Sequence, residues 1–278
     1  MPLARHSVFA AMFFMLVVYS HLLVADAILV QNVNTSVGQS TLLNCTLMSR
    51  TPIGLKNLRF YWQDDRQLVL YSFNEGKEMP EHVDQLYGDR VTAFRQDMTT
   101  GNMSVLLKNP TLRDDQRVFK VFAAVFHTGT PRRYIHDHEQ ICEITLHVGV
   151  PYRNVSVALN EEREAAVCTA QGGFPEPLVT WKLQHLASDF QRSVDVKDVH
   201  TTAVQNHQDH LYSCRSTMNV TKGQDQAVTC FVHNPTLNET SAVRYTLNNG
   251  AAERSFPFWA GGLMNIALLV FVYVTFSL

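Results

Sequence analysis

Five cysteines carry most of the covalent chemistry open to this 278-residue chain: Cys45, Cys142, Cys168, Cys214 and Cys230. In a reducing compartment they would stay thiols, and in an oxidising one they would cross-link. The first residues point to the oxidising case. Arg5 and His6 precede an apolar run from Val8 to Val24, and Ala25-Asp26-Ala27 puts small residues three and one positions before a cut. Residues 1–27 therefore read as a secretory signal, with Ile28 as the mature start. His136-Asp137-His138 has chelating spacing, yet no third ligand is fixed by sequence, and a solvated, charged loop is the plainer reading. No glycine-rich phosphate loop, nucleophile elbow or zinc-protease signature occurs. No catalytic residue, cofactor, metal or small-molecule substrate is expected, so the chain does not read as an enzyme. The net charge of −2 gives no basic footprint for nucleic acid.

The elements that must position the cysteines follow from their spacing to tryptophan. Asn44-Cys45 is followed by Tyr61-Trp62-Gln63, and Cys168 by Thr180-Trp181-Lys182. A Cys on strand B, a Trp on strand C and a second Cys on strand F build the core of an immunoglobulin sandwich. The spacing predicts an all-β chain of two tandem immunoglobulin β-sandwiches, the first variable-type and the second constant-type. In the second, Cys168 and Cys230 are expected to bridge the sheets. Strands there are expected over 153–159, 165–170, 178–183, 211–220, 226–232 and 242–247, with the turn Gly172-Gly173-Phe174-Pro175-Glu176-Pro177 before the third. Cys214 is left over, and a buried free thiol is its default state, with an intermolecular bond as the alternative.

The first sandwich departs from the pattern. Residues 40–45 alternate as strand B, 58–63 as strand C, and 67–73 add the extra front-sheet strand of a variable-type domain, with 89–91 and 103–107 as D and E. Residues 112–121 lead into strand F, but Val121 stands where its cysteine should be, and Phe119 supplies the corner ring without the hydroxyl. Cys142 lies in the last strand, G, where alternation with Ile144, Leu146 and Val148 turns it inward. Strand G is the neighbour of F, about 4.8 Å away, so a Cys45–Cys142 bridge is feasible; two buried free thiols, or one used between chains, remain the alternative. Asp115 is expected to pair with Arg90 and close the bottom of this sandwich.

Six Asn-x-Ser/Thr sequons, at Asn34, Asn44, Asn102, Asn154, Asn219 and Asn238, mark a surface glycoprotein, Asn44 being the poorest acceptor because it adjoins Cys45. The layout is a signal (1–27), a variable-type domain (28–149), a constant-type domain (150–248) and a stalk with a hydrophobic anchor (249–278). The run from Phe256 to Leu278 has no Lys or Arg after it, which fits either a tail-less transmembrane helix or a glycosylphosphatidylinositol signal with Asn249-Gly250-Ala251 as the small residues. Either places the protein at the extracellular face of the plasma membrane.

Tyr61-Trp62-Gln63, the stretch from Val83 to Arg90, Ile144-Thr145-Leu146-His147-Val148, Gly173-Phe174-Pro175-Glu176-Pro177, Leu211-Tyr212-Ser213 and the stretch from Cys230 to Pro235 occur in an order that resembles the B-seven/butyrophilin family of costimulatory ligands. That resemblance implies a membrane-anchored ligand of a CD28/ICOS-like protein receptor on a T cell, modulating T-cell activation through the front sheet of the first domain. Alternation places Tyr61, Gln63, Lys120, Phe122 and Ala124 on the outer face of that sheet, with Tyr134 in the adjoining loop, and Phe122 is the favoured anchor. An adhesion protein with a homophilic or non-lymphocyte partner is the alternative, and a decoy or accessory subunit a third reading.

Overall fold

The computed structural model describes residues 28–49, 51–126, 134–162, 164–187, 190–247 and 251–259, with 134–138 and 251–259 described by backbone alone. Residues 1–27, expected to be a signal, and the expected anchor residues 260–278 lie outside them. Among the described residues no helix is long and apolar enough to cross a membrane. The chain divides into two compact units between Val148 and Gly149.

The first unit contains β1 (Leu29–Ser36), β2 (Thr41–Leu43), β3 (Leu58–Asp64), β4 (Val69–Asn74), β5 (Lys77–Glu78), β6 (Val91–Ala93), β7 (Val105–Leu107), β8 (Arg117–Phe126) and β9 (Tyr134–Gly149). They form a six-stranded sheet in the order β1-β9-β8-β3-β4-β5 and a three-stranded sheet β2-β7-β6. Period-two alternation assigns the faces. In β3, Leu58, Phe60 and Trp62 enter the core, and in β8 so do Phe119, Val121, Ala123 and Val125. Leu43, Val105 and Leu107 face them from the other sheet. Trp62 is fully buried, and its indole Nε1–H donates to the Met103 carbonyl at 2.8 Å, so the polar end of this ring is satisfied inside the core.

Cys142 is the register partner of Val121 and is bonded to Cys45, with 6.0 Å between alpha carbons. The bridge thus lands one strand away from the usual position while still joining the two sheets. Beside it the chain makes a close crossing. Gly101 has φ +88°, and a Cβ there would meet the Leu47 carbonyl oxygen at 2.2 Å, so only glycine permits the Leu47 N–H to donate to the Gly101 carbonyl at 2.9 Å.

One expected ion pair is corrected. Arg90 pairs with Asp114, not Asp115: its Nη2 lies 2.6 Å from Asp114 Oδ2 and its Nη1 donates to Oδ1 at 3.3 Å. The cause is a short 3-10 turn over Leu112–Asp114, in which Asp114 also caps the turn by accepting from the Thr111 N–H at 2.7 Å. Asp115, just beyond the turn, has extended backbone and accepts instead from the Val148 N–H at 2.7 Å. The turn rotates the two carboxylates to opposite tasks.

The second unit contains β10 (Arg153–Asn160), β11 (Ala165–Gly173), β12 (Leu178–His185), β13 (Gln191–Ser193), β14 (Val199–Gln205), β15 (Tyr212–Asn219), β16 (Asp225–Asn234), β17 (Glu239–Thr246) and β18 (Ala251–Trp259). Its sheets are β10-β11-β15-β14 and β13-β12-β16-β17-β18. Cys168 and Cys230 join them with 6.3 Å between alpha carbons, and Trp181 packs in the same core, its Nε1–H donating to Ser216 Oγ at 2.9 Å. Cys214 is a buried free thiol, and burial pushes its pKa up, which keeps it protonated and unreactive. The residues assigned from sequence to the stalk begin differently: Ala251–Trp259 pairs antiparallel with β17 as an added strand.

Candidate binding face

The outer face of the six-stranded sheet is a lattice whose rows follow from register. Tyr61 stands opposite Phe122, Gln63 opposite Lys120, and Lys120 opposite Glu143. On the other flank, Tyr61 pairs with Ser72 and Arg59 with Asn74. Because Phe60, Trp62, Phe119 and Val121 are drawn into the core, their neighbours are obliged to point the other way.

The Tyr61 and Phe122 rings stack with centroids 5.3 Å apart and planes within 16°. Such a pair contributes about 0.5–1.5 kcal/mol beyond the area it covers, which rigidifies the centre of the face. Around it the charges are already paired. Lys120 Nζ lies 3.4 Å from Glu143 Oε2, which also accepts from Gln140 Nε2 at 3.0 Å. Arg59 pairs with Glu75, and its guanidinium lies over the Phe126 ring, 4.8 Å from the centroid. The face is therefore aromatic at its centre and near-neutral at its margins.

Tyr61, Gln63, Lys120 and Phe122 all lie on this face, each partly exposed. Ala124 does not serve as expected: it holds the outward register opposite Arg59 but is fully buried. Tyr134 is not in a loop, since its backbone begins β9 opposite Phe126; its side chain lies outside the described residues, as do those of His136-Asp137-His138. Arg59, Ser72 and Asn74 were missed from sequence. Arg59 was within reach, because it precedes Tyr61 by two positions and shares its alternation.

Five of the six sequons lie off this face, and the sixth, Asn34, is exposed on it only at the edge strand β1. Asn34 lies in β1, Asn44 just after β2 and Asn102 just before β7; in the second unit Asn154 lies in β10, Asn219 ends β15 and Asn238 lies between β16 and β17. Asn102 is half-buried and the other five are exposed. None falls in β3, β4, β8 or β9.

A second polar cluster sits beneath the sheet. Asp64 is buried at the end of β3 and accepts from the Leu68 N–H at 2.8 Å, from Arg66 Nη2 at 2.8 Å and from the Tyr87 hydroxyl at 3.0 Å. Burial alone would raise its pKa, but the hydrogen bonds from Leu68, Arg66 and Tyr87 outweigh it and hold the carboxyl below its usual value. Tyr87 also packs edge-on against Phe119, centroids 6.3 Å apart. Tyr87 thus brings a buried, bonded hydroxyl next to the ring that lacks one. This cluster is structural.

Comparison with known proteins agrees with this architecture. Residues 153–242 match a family model described as the butyrophilin subfamily 3 member A2-like Ig-C domain. A CD276 antigen homolog from Xenopus laevis is 24% identical over 224 residues, covering 77% of this chain and 66% of the frog protein. The human ICOS ligand is 23% identical over 231 residues, covering 81% of this chain and 72% of the ligand. Among solved structures, bovine butyrophilin aligns with a TM-score of 0.57 over 80% of this chain and 95% of its own, at 17% identity. The complex of ICOS with ICOS-L contains a chain that aligns with a TM-score of 0.55, at 22% identity over 78% of this chain and the whole of that one. At such identities the structures establish the fold alone. The proteins this chain resembles are B7-family members and butyrophilin-like proteins, receptors and ligands of the immunoglobulin superfamily rather than enzymes.

Proposed function

We propose that this protein is a cell-surface glycoprotein ligand that binds a CD28/ICOS-like receptor on T cells through the outer face of the six-stranded sheet and so modulates their activation. Residues 28–149 recognise the receptor, and the apolar segment that follows β18 tethers the protein at the extracellular face of the plasma membrane. The observation that carries the reading is the Tyr61–Phe122 stack, standing partly exposed on the central strands β3 and β8, which carry no sequon. Aromatic side chains dominate binding hot spots, and apolar surface left open on a sheet is stabilised by a partner that covers it. The relatives add the direction. They include the rabbit T-lymphocyte activation antigens CD86 and CD80 and the human V-set domain-containing T-cell activation inhibitor 1. With activators and an inhibitor among them, the reading covers either sign of signal.

The test is the binding of activated T cells to cells displaying the full chain. Phe122→Ala is expected to weaken that binding by about 2 kcal/mol or more without unfolding the protein. Binding only to cells that display the same protein would replace this reading with homophilic adhesion. Unchanged binding by a folded Phe122→Ala variant would remove the site from this sheet. Glycosylphosphatidylinositol-specific phospholipase decides the tether: release of the protein supports the lipid anchor, and retention the helix.

A further inference from the structure

We propose that the cleft beside the Tyr61–Phe122 stack accepts a neutral amide, as an asparagine or glutamine side chain or an exposed peptide unit, from a loop of the partner protein. This rests on the binding face proposed above and adds what that face selects. The cleft has a volume of about 150 Å³ and is lined by Arg59, Tyr61, Ser72, Asn74, His82 and Phe122. Sites for free small molecules usually enclose roughly 300–1,000 Å³. This one has room for a single protruding side chain or chain reversal.

Two buried atoms in its lining have no hydrogen-bond partner among the described residues: Arg59 Nε, a donor, and Asn74 Oδ1, an acceptor. They belong to residues that face each other across β3 and β4. The Arg59 guanidinium bonds Glu75 through Nη2 and lies over Phe126, and its Nε–H makes no bond to Asn74 across the strand pair. Buried donors and acceptors without partners are rare in native proteins and ask for an explanation.

A group that answers both atoms must offer an acceptor and a donor together. A carboxylate would answer Arg59 but oppose the Asn74 oxygen and the nearby Glu75. An ammonium or guanidinium would answer Asn74 but meet the charge of Arg59. A neutral amide gives its carbonyl to the Arg59 Nε–H and its N–H to Asn74 Oδ1, while its flat faces lie along the aromatic wall. Arg59 and Asn74 are both partly exposed, and a rotation of each side chain opens its buried atom to the incoming amide.

The experiment measures binding of activated T cells to cells displaying the full chain, with melting of the same purified variants. Asn74→Leu removes the acceptor at nearly constant shape. Since that atom is unpaired in the free protein, the variant should melt at or above the wild-type temperature while binding about tenfold more weakly. Asn74→Asp sets a carboxylate beside Arg59 that closes the donor, and should lose a similar factor. Phe122→Ala is the reference for the face itself. If Phe122→Ala binds weakly while both Asn74 variants bind like wild type, the amide proposal is overturned and the face stands. If Phe122→Ala binds like wild type, both fall. A lower melting temperature for Asn74→Leu would show that the oxygen already has a partner, and this too overturns the proposal.

Discussion

The two units solve the same packing problem with differently placed bridges. In the second, Cys168 on β11 reaches Cys230 on β16, directly opposite Trp181 in register. In the first, Val121 occupies the place opposite Trp62, and Cys45 reaches past it to Cys142 on β9. Alpha-carbon separations are nearly equal, 6.0 Å and 6.3 Å. What the sandwich requires is a covalent tie between sheets near the tryptophan; which of two neighbouring strands supplies the sulfur is negotiable, because both point into the same core. The consequence for function is local. β8 carries Lys120 and Phe122 on its outer side, and in the first unit its inner side is held by apolar packing rather than by a bond.

Removing each bridge in turn is the most forceful way to break this equivalence. The closed loops span 97 and 62 residues. In the chain-entropy account both lengths give about 4–5 kcal/mol, and their difference is only about 0.4 kcal/mol. The double variants Cys45→Ala/Cys142→Ala and Cys168→Ala/Cys230→Ala should therefore lower the denaturation midpoint of their own units by comparable amounts. A first-unit transition that barely moves would mean the displaced bridge is ornamental and the two units are not equivalent.

Sequence reading went furthest where burial is periodic. Cys45, Trp62, Phe119, Val121, Cys142 and Ile144 all sit inside, as their alternation requires. It failed at edges and offsets. β14, with the pattern of Val199–Gln205 almost wholly exposed, and the two-residue β5 have no buried face to leave a signature. The Arg90 partner was missed by one residue because a 3-10 turn shifts phase in a way that composition does not announce. Tyr87 and Asp64, 23 residues apart, meet only through tertiary packing. On the binding face, alternation was enough for Tyr61, Gln63, Lys120 and Phe122. It could not reveal that Ala124 is covered, or that Asn74 shares the surface, since both depend on the neighbouring strand.

The polar contacts beside the two tryptophan strands differ in kind, and pH should separate them. The first unit relies on the ionised Asp64, the second on a neutral chain in which Trp181 donates to Ser216 Oγ, itself 2.8 Å from Thr201 Oγ1. Because the folded protein holds the Asp64 pKa below its unfolded value near 3.9, its contribution is complete above about pH 4 and is lost as pH falls through the folded value. Asp64→Asn is expected to cost about 3 kcal/mol at pH 7 and progressively less in acid. Ser216→Ala should cost about 1–2 kcal/mol with no such trend. Urea titrations of both variants at pH 7 and pH 3 measure the contrast, and equal pH trends would remove it.

The smallest expected effects lie at the corners leading into β8 and β16. In the first unit, Asp114 holds Arg90 through two oxygens and caps its own turn, whereas Asp115 accepts a single bond from Val148. Arg90 remains partly solvated, which limits the pair. Asp114→Ala should cost about 2 kcal/mol, combining a cap and a charge-assisted pair, and Asp115→Ala about 1 kcal/mol, the value of one hydrogen bond. In the second unit Asp225 accepts from the Thr221 N–H at 2.7 Å, while its other oxygen, 2.7 Å from His185 Nδ1, makes no hydrogen bond. Asp225→Ala should therefore resemble Asp115→Ala rather than Asp114→Ala. Thermal melts of the three variants order them. If Asp115→Ala proves the most damaging in its unit, the bond to Val148 rather than the Arg90 pair closes that sandwich, and the two corners are built on different principles.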